Sequence, residues 1–564
     1  MNSPSRSVIV GLFGLFVLVF FFGLGKAQLF EPDEGRNAEI ARETLVTGDW
    51  VTPHNDFLPA LDKPMPYYWL VAASYKAFGI SEWSARLPSA LAALGCLFLI
   101  YRFSLQLWGV RAALWSALIW ATSIEVFVLA RVVILDMALT LCISLALYAF
   151  YLALHSADDA ARRRNCCLMY AGIALGVLIK GPIAAIIPAM TIGMFLLLTK
   201  RLRFVGQMHW LSGLVIFLTM VIPWYLWAEA RNPGYLKYFL WEEHVVRFLT
   251  PHFGRREPWY YFFLILPAGF FPWSLVLPAV IKDLRADWRD ERKLFLILWA
   301  ILPFVFFSLS SGKLPHYILP IFPPLALLTG EAMSGYTSRA GVKSIWMVMP
   351  PWLVQFLLVL CLSVIVWWPG MLPPAFREIE EKIASLLWQF KIVSLAILAL
   401  GVSAGLHFYR KPLEPISLPH YAAVMILFPL IMVYGMAGAS RFRSAKEFAH
   451  GARRFATQTT QYVVFETYLC GLPFYLRVTE PIWIVWSGAK SNIMGSWYVA
   501  EKQPPSARGK VLFTFEEFAE EWRNPAQPLL VYVKDKNLSH LASSEPPVAK
   551  PLFNVNGYDL VTNR

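Results

Sequence analysis

The sequence carries few charged residues for its length. Only 15% of its 564 residues are Asp, Glu, Lys or Arg, whereas soluble proteins have about 25%. Hydrophobic residues make up 57%, more than a single water-soluble core buries. The chain has six cysteines and no Cys-x-x-Cys pair, so neither disulfide bonds nor a structural zinc site is expected.

Several short motifs of soluble enzymes are also absent. The chain has no P-loop, no Gly-x-Gly-x-x-Gly after a predicted strand, no serine nucleophile elbow and no His-Glu-x-x-His. These absences disfavour nucleotide-driven chemistry and a nucleotide cofactor. The net charge of +13 would suggest nucleic-acid binding in a soluble chain. Here, however, Lys and Arg occupy alternate loops between apolar runs, as the positive-inside rule of membrane proteins requires, so no nucleic-acid partner is predicted.

Long apolar runs are abundant instead. A helical run of about 20 residues crosses a hydrocarbon core of about 30 Å. The sequence therefore predicts a polytopic α-helical membrane protein with about 13 transmembrane helices. The first run could also be a secretory signal, but it is long for one, so we predict an uncleaved helix. The predicted spans are residues 8–24, 86–107, 112–130, 133–154, 168–180, 182–199, 209–229, 259–281, 294–311, 316–332, 345–368, 386–408 and 420–438.

The positive-inside rule also assigns a side of the membrane to the polar segments. With a cytoplasmic start, the loops 25–85 and 230–258 and a polar tail all lie on the outer face. We therefore predict a transmembrane domain over residues 1–439, which includes both loops, and an outer domain over residues 440–564.

The tail differs in pattern from the rest of the chain. Short apolar runs at 462–465 and 482–486 predict strands, and the stretch near 513–522 predicts an amphipathic helix. Short strands mixed with such a helix are typical of a small α/β domain.

Five polar clusters fall on the predicted outer face, next to the ends of apolar runs. The first contains Asp33, Glu34 and Arg36, directly after the first span. Charged groups at the edge of hydrocarbon are costly unless they face water, each other or a ligand. Acidic residues also favour the N-terminus of a helix. This cluster therefore predicts a helix start, a ligand site, or both.

The second and third clusters each allow two interpretations. Lys63, which follows Asp62, either anchors the chain at the membrane interface or binds a phosphate. Asp136 either pairs with Arg131 or points into a cavity, and the pairing is slightly favoured.

The fourth and fifth clusters contain cations. If the chain is helical there, His244 and Arg247 share a face at spacing i, i+3. A guanidinium beside an imidazole suits a phosphate, and a surface helix of mixed charge is the alternative. Lys313, His316 and Tyr317 either donate hydrogen bonds to an oxyanion or mark the interface. Together the five clusters predict a site that binds an anionic lipid headgroup and performs acid–base chemistry on it.

These clusters also carry a family resemblance. They resemble the bacterial lipid A aminoarabinose transferases, which belong with the protein O-mannosyltransferases to the GT-C class of polyprenyl-phosphate-sugar-dependent glycosyltransferases. The matching motifs occur in the family's order. They are Asp33 to Ile40, Gly48 to Trp50, Asp62 to Pro64, Glu243 to Phe248 and Lys313 to Pro320.

The resemblance implies a fold, a place and an activity. The fold would be GT-C, with about 13 transmembrane helices and a small periplasmic α/β C-terminal domain, in the bacterial inner membrane with the active site facing the periplasm. The enzyme would move an aminoarabinose-like sugar from undecaprenyl phosphate to lipid A by inverting displacement. Transfer to a protein hydroxyl or another envelope glycan is the alternative. A lipid transporter is disfavoured because the charges lie at one membrane face rather than along the midplane.

The resemblance also implies roles for single residues. Asp33 is similar to the principal catalytic carboxylate and Asp136 to a second acid of the site. Asp62 and His244 are similar to a pair that could hold a divalent metal ion. The chain departs from the family at Asp62, where the family has Glu, at His316, where it has Thr, and at Gly35-Arg36-Asn37, where it has Pro-Arg-Tyr, so Asn37 and His316 bear on sugar identity. The implied substrate-binding residues are Glu34, Arg36, Lys63, Tyr67, Arg247, His316 and Tyr317.

Overall fold

The chain packs as two compact units. The computed structural model describes residues 6–250, 257–338, 418–486, 507–523, 527–543 and 550–563, with isolated positions between 349 and 402 and residues 494 and 498. The first unit comprises Met1–Lys26, Arg86–Leu226 and Leu240–Gly438, and the second comprises Ala27–Ala85, Trp227–Phe239 and Ala439–Arg564. Residues 27–85 thus pack with the C-terminal residues, whereas the sequence grouped them with the membrane segment.

Helices dominate the described residues, as the apolar runs predict. In chain order they are α1 (Arg6–Phe21), α2 (Asp33–Thr47), α3 (Pro66–Phe78), α4 (Glu82–Trp108), α5 (Val110–Thr122), α6 (Ile124–Leu129), α7 (Asp136–Leu154), α8 (Asp159–Lys180), α9 (Ile183–Leu198), α10 (Trp210–Met220), α11 (Ile222–Arg231), α12 (Tyr235–Lys237), α13 (Arg247–Leu249), α14 (Tyr261–Gly269), α15 (Leu277–Asp287), α16 (Glu291–Leu309), α17 (Phe322–Ser338), α18 (Leu418–Ser440), α19 (Lys446–Ala452), α20 (Leu472–Leu476), α21 (Phe515–Arg523) and α22 (Leu538–Ser543). A π-helix runs over Tyr238–Val246, and 3₁₀ turns cover Leu202–Gln207, Trp273–Leu275, Pro315–Ile321 and Asp535–Asn537.

Many of these helices are apolar enough for a bilayer, so this is a multi-pass membrane protein. The predicted spans 345–368 and 386–408 lie largely outside the described residues. Five described stretches have the length and hydropathy of a membrane span: Glu82–Trp108, Asp136–Leu154, Trp210–Arg231, Glu291–Leu309 and Pro315–Thr337. Shorter apolar helices are Val10–Phe21, Val110–Thr122, Ile183–Leu198 and Phe428–Ser440.

Three predicted spans are interrupted in the structure, one of which, 209–229, divides into α10 and α11 at Val221. The span 112–130 divides at Ser123, whose extended backbone separates α5 from α6. The span 259–281 divides into α14, a 3₁₀ turn and α15, with Pro272 at the break. Proline has no amide hydrogen with which to continue helical bonding. Apolar composition predicts a lipid environment but does not locate such breaks.

A short hairpin in the second unit packs against α2. Its strands β1 (His54–Asn55) and β2 (Leu58–Pro59) are antiparallel. The two turn residues, Asp56 and Phe57, have φ values of 54° and 60°, as the twist of a two-residue hairpin requires. The Glu43 carboxylate of α2 accepts the amide hydrogens of both, at 2.7 and 2.9 Å. This pairing fixes the hairpin on the helix that carries the first polar cluster.

The C-terminal residues form a mixed six-stranded sheet, which confirms the predicted α/β domain. Its order is β5-β4-β3-β6-β8-β7, with β3 parallel to β4 and β6, and β8 antiparallel to β6 and β7. The predicted strands and helix correspond to β3, β4 and α21, and the side chains of Phe465, Val531 and Trp522 lie in one buried core. The strands are β3 (Gln461–Phe465), β4 (Trp483–Val485), β5 (Leu512–Phe513), β6 (Leu529–Lys534), β7 (Lys550–Val555) and β8 (Tyr558–Thr562).

Candidate functional site

The first polar cluster forms the start of α2, in the second unit. The helix begins at Asp33, so the predicted helix start is correct. Asp33 Oδ1 accepts a hydrogen bond from Arg36 Nη2 at 2.8 Å, one helical turn away. The Asp33 side chain remains 35% exposed and that of Arg36 18%. An acid at a helix N-terminus is favoured by the helix dipole. The fold therefore places a solvent-accessible carboxylate at a stable position on the first turn of α2.

Glu34 has a different environment from its neighbour Asp33. It is 1% exposed, and its Oε2 accepts the amide hydrogen of Phe30 at 2.9 Å. This bond satisfies one of the backbone donors that precede the helix. This contact stabilises the turn before α2, while Asp33 is the more exposed carboxylate.

Aromatic residues of α3 lie behind this cluster. The hydroxyl of Tyr68 donates to Asn37 Oδ1 at 3.2 Å, and the Tyr67 ring packs edge-on against Tyr68, with centroids 5.8 Å apart. Burial raises the pKa of the Tyr68 hydroxyl. Burial, the largest effect, lowers the pKa of the Arg36 guanidinium, but the charge of Asp33 together with smaller effects of neighbouring groups outweighs it, so the pKa is raised. Arg36 therefore stays charged and Tyr68 stays neutral.

Glu31 is a third acid of this region, and the sequence did not single it out as a site residue. Its Oε1 accepts the amide hydrogen of Gly471 at 2.7 Å, and its Oε2 is buried. Burial, followed by the charges of Glu34 and Asp33, raises the pKa of this carboxyl from 4.5 to about 8, against the opposing effect of two backbone hydrogen bonds. Glu31 is therefore neutral at pH 7.

Asp62 and Lys63 also belong to the second unit. Lys63 Nζ donates to the carbonyl oxygen of Asp62 at 2.8 Å. Asp62 Oδ1 accepts hydrogen bonds from the Tyr238 hydroxyl at 2.7 Å and from the Tyr498 amide at 3.2 Å. The Asp62 side chain is thus held by a tyrosine and a backbone amide.

The donor set for a metal ion is small. His244, the predicted second ligand, belongs to the first unit. Among the residues that the structure describes, no three His, Cys, Asp or Glu side chains are grouped as metal ligands would be. A divalent ion with only two protein ligands would keep several waters. The described residues do not form a protein cage for a metal ion, so no chemical step below depends on one.

The first unit holds a second polar set, centred on Asp136 at the start of α7. Lys180 Nζ lies 2.5 Å from Asp136 Oδ1, and His316 Nε2 lies 3.7 Å from Asp136 Oδ2. The Asp136 side chain is only 3% exposed. The favoured pairing with Arg131 is wrong, because Arg131 donates to the carbonyl oxygens of Val19, Phe20 and Phe22 instead.

Tyr317 connects the cations of this set. Lys180 Nζ lies 5.0 Å from the centroid of the Tyr317 ring, and Arg247 Nη2 donates to the Tyr317 hydroxyl at 3.5 Å. The ring of His316 is 5.2 Å from that of Tyr317. Lys180, Arg247 and His316 thus surround the ring of Tyr317. We name the group of Lys180, Arg247, His316 and Tyr317 the cation set.

A π-helix changes the expected spacing around Arg247. The chain is helical at Tyr238–Val246 as the prediction requires, but with π geometry. Within that π-helix, residues three apart do not share a face as they do in an α-helix, and Arg247 begins the α-helix that follows. Arg247 forms an ion pair with Glu243, four residues earlier, and the Glu243 side chain is 1% exposed. Glu243 therefore holds the guanidinium of Arg247.

Lys313 is the predicted oxyanion donor with the clearest structural role. Its ammonium donates to the carbonyl oxygens of Ser310 at 2.6 Å and Glu257 at 2.8 Å. The residue is 5% exposed. Lys313 therefore ties two loop segments together, and we leave it out of the cation set.

Three residues of these sites were missed by sequence reasoning: Glu31, Lys180 and Glu243. Lys180 had a readable signal, because an ionisable side chain between two apolar runs is usually functional or paired. Glu243 stood in a predicted motif but beside His244, the more obvious phosphate or metal ligand. Glu31 had no signal of its own, since its environment is created by Gly471, 440 residues away.

The sequence is similar to a known family and to several curated proteins. A profile of the family described as "Dolichyl-phosphate-mannose-protein mannosyltransferase" matches residues 62–227. A curated undecaprenyl phosphate-alpha-4-amino-4-deoxy-L-arabinose arabinosyl transferase of Pseudomonas aeruginosa is 34% identical over 331 residues, 58% of this chain and 59% of that protein. The enzyme of the same name numbered 1 in Pseudomonas fluorescens is 31% identical over 338 residues, 59% of this chain and 58% of that protein. The matches thus span less than two thirds of the curated relatives' length.

The solved structure of ArnT from Cupriavidus metallidurans bound to undecaprenyl phosphate is similar over nearly its whole length. The TM-score is 0.84 at 26% sequence identity, and the match covers 100% of this chain and 99% of that one. Its apo state matches with a TM-score of 0.83. The overall fold is therefore the GT-C fold that the motifs predicted.

Proposed function

We propose that this chain, which belongs to the GT-C class of glycosyltransferases, transfers an aminoarabinose-like sugar from undecaprenyl phosphate to lipid A. The single observation that carries the proposal is the cation set, in which a lysine, an arginine and a histidine surround the ring of Tyr317. The names of the curated relatives and the undecaprenyl phosphate bound to the related structure support the donor.

The cation set has the chemistry of a phosphate site. Arginine matches the geometry of phosphate oxygens with two parallel N–H donors, and lysine adds a compact charge. In a membrane protein such charges are costly unless they serve a ligand or are paired. Asp136 and Glu243 each neutralise one cation, at Lys180 and Arg247. They thereby hold the cations in place without a bound lipid, and we assign the donor phosphate to Arg247 and Tyr317.

Asp33 is the carboxylate that we assign to the reaction. Asp33 is more exposed than Glu34, and its ion pair with Arg36 holds its side chain at the first turn of α2. In the reaction the bond between the anomeric carbon and the phosphate oxygen breaks, and its electron pair leaves with the phosphate. The acceptor oxygen forms the new bond on the opposite face, so the anomeric centre inverts. A carboxylate stabilises the positive charge that develops on the sugar in between.

The acceptor determines whether a proton must be removed. A phosphate group has a second pKa near about 6 and is ionised at neutral pH, so lipid A phosphate attacks without a general base. A sugar or protein hydroxyl must lose its proton, and Asp33 would then accept it. The match of residues 62–227 to a protein mannosyltransferase family favours a protein hydroxyl as the second candidate acceptor.

The active site is proposed to face the periplasm of the inner membrane. The chain is a multi-pass membrane protein with apolar helices of spanning length. The proposal for the outer side rests on the positive-inside distribution of Lys and Arg in the sequence. A polyprenyl donor can keep its chain in hydrocarbon while its phosphate reaches the headgroup level. This suits a reaction with lipid A, which is also a membrane lipid.

The test is mass spectrometry of lipid A from bacteria that lack this activity and express the chain. The wild type is expected to add the mass of the sugar to lipid A. Asp33→Asn should reduce the added mass at least about 100-fold, within the usual contribution of a catalytic carboxylate. The matched control is Asp49→Asn, because Asp49 belongs to the same unit and also pairs with an arginine, Arg231 at 2.9 Å.

The outcomes separate the candidates. Full modification by Asp49→Asn together with loss in Asp33→Asn supports the transferase. Sugar mass on envelope protein instead of lipid A supports the second acceptor. Equal modification by wild type and Asp33→Asn contradicts the role of Asp33, and the absence of any sugar transfer at equal expression, with the donor lipid present, contradicts the proposed function.

A further inference from the structure

The carboxyl of Glu31 is enclosed between the start of α2 and the loop before α20. Its Oε1 accepts the amide hydrogen of Gly471 at 2.7 Å. Its Oε2 is buried, with no hydrogen-bond partner in the described part of the chain. A buried carboxylate with one unsatisfied oxygen is costly, and the neutral acid is much less so. The geometry therefore favours a carboxyl that keeps its proton.

Two glycines make room for this carboxyl. A Cβ at Gly471 would lie 2.6 Å from Glu31 Oε1, and a Cβ at Gly35 would lie 2.9 Å from the same oxygen and 2.6 Å from the Gly471 nitrogen. Real Cβ atoms do not approach other atoms so closely. Any other residue at either position would push the Glu31 carboxyl or the backbone away.

The backbone around Glu31 is also fastened to C-terminal residues of the same unit. The Glu31 amide donates to the Arg443 carbonyl at 2.9 Å, and the Leu29 amide donates to the Tyr475 hydroxyl at 2.8 Å. The segment that enters α2 is thus held by both main-chain and side-chain bonds. Asp33 lies two residues further on, so its place depends on this attachment.

The charged and titratable groups near Glu31 come from α2, the loop before α20 and two strands of the sheet. Glu34 and Asp33 on α2 are negative and disfavour a further charge. Cys470 lies in the loop before α20, and burial raises the pKa of its thiol, so it is neutral. Tyr532 of β6 and Tyr558 of β8 face Glu31 from the sheet, and burial raises the pKa of both. Ionisation of Glu31 would therefore place a third negative charge beside two others.

We propose that Glu31 is a positioning residue that works as a neutral carboxyl, and that its loss of a proton displaces the start of α2 and withdraws Asp33 from its working position. The neutral group bonds to Gly471 without repelling Asp33 and Glu34. The ionised group repels both, and the attachment of α2 weakens. The inference deepens the proposed function, because it concerns the placement of the carboxylate assigned to that reaction.

The first experiment needs no substrate. Infrared spectra of the full chain in lipid nanodiscs are recorded against pH, for wild type and for Glu31→Gln. A protonated-carboxyl band that disappears near pH 8 in the wild type and is absent from Glu31→Gln supports the proposal. A band difference that is complete well below pH 7, or no difference between the two proteins, overturns it, whatever the enzyme transfers.

The second experiment measures sugar transfer against pH in the same nanodiscs, with undecaprenyl-phosphate-linked aminoarabinose and lipid A. Wild-type kcat is expected to fall about tenfold per pH unit above the point where Glu31 ionises, with KM changed less. Glu31→Gln should keep activity within about threefold at pH 7 and lose the alkaline fall, since glutamine resembles the neutral carboxyl. Glu516→Gln, at an exposed position of α21, is the matched control and should behave as the wild type does.

Each result then has one meaning. A loss above about 100-fold in Glu31→Gln at pH 7 would mean direct proton transfer by Glu31 and would overturn a positioning role. An alkaline fall that persists in Glu31→Gln would also overturn it. If Glu31→Gln does not fold, Gly471→Ala takes its place, because it displaces the carboxyl by the contact above; a lower kcat is expected, and unchanged kinetics in Gly471→Ala would contradict the proposal.

Discussion

Replacing Lys180 by methionine should reduce both activity and stability, through Asp136. The ammonium lies 2.5 Å from Asp136 Oδ1, and the two side chains are 15% and 3% exposed. His316 Nε2 lies 3.7 Å from Asp136 Oδ2, and the imidazole is charged only when it is protonated. Lys180→Met therefore leaves a buried carboxylate without its main partner.

The size of the effect follows from this geometry. A hydrogen bond to a charged group contributes about 1.5–3 kcal/mol, and each 1.36 kcal/mol is about a tenfold change in rate. We expect transfer to fall roughly 10- to 150-fold if the pair must be intact in the transition state. Loss of one partner of a buried ion pair also destabilises the fold, by about 3–5 kcal/mol.

A double-variant cycle isolates the pair. Lys180→Met, Asp136→Asn and the double variant are compared in thermal unfolding and in sugar transfer to lipid A. Because the double variant leaves no unpaired charge, its losses should be smaller than the sum of the single losses by about 1–3 kcal/mol. Lys293→Met is the matched control, since Lys293 also pairs with carboxylates, Asp287 at 3.2 Å and Glu331 at 3.5 Å, and it should leave transfer rates near wild type.

Additive losses in the cycle would refute this reasoning, because they would mean that Lys180 and Asp136 act separately. Wild-type activity in Lys180→Met at equal folded protein would refute it as well, since the cation set would then not need its lysine.

Three further predictions concern single features of the sites. Tyr317→Phe keeps the ring beneath Lys180, so it should lower the transfer rate less than about tenfold. Tyr317→Leu removes a cation–π contact of about 0.5–2 kcal/mol and should lower the rate more. Equal losses in the two variants would contradict this role of the ring. The buried carboxyls Glu31, Glu43 and Asp56 have raised pKa values, so the folded chain keeps protons that the unfolded chain releases. The free energy of unfolding should therefore fall as pH rises from the ordinary Glu value of 4.5 through about 8, and thermal midpoints that rise over this range would contradict it. The divalent metal at Asp62 and His244 stays a prediction, and dialysis against a chelator followed by elemental analysis and a transfer assay tests it, with unchanged transfer by metal-free protein as the contrary result.

The apolar helices of the membrane part could be predicted from the sequence alone. Apolar runs of spanning length reflect the solvent around each helix, which is a local property of the chain. The start of α2 was equally readable, because Pro32, Asp33 and Glu34 suit the first turn of a helix. The strands β3 and β4 and the helix α21 followed from short-range alternation in the same way.

The pairings within the sites could not be predicted in this way. Arg131 was the nearest cation along the chain to Asp136, yet the partner is Lys180, 44 residues away. The choice depends on how α7 and α8 pack, because an ion pair forms between side chains that the fold brings within contact distance. Glu243, the ion-pair partner of Arg247, was likewise not among the predicted site residues.

Local patterns along the chain thus identify the kind of each segment: apolar helices for a bilayer, a small α/β domain, and charged motifs that resemble the GT-C class. Which charges meet depends on how those segments pack. Glu31 shows the reason, because its proton depends on burial and on Gly471, 440 residues further along the chain. Periodicity and composition describe a segment's own surroundings, whereas the state of an ionisable group depends on the distances and burial that packing alone creates.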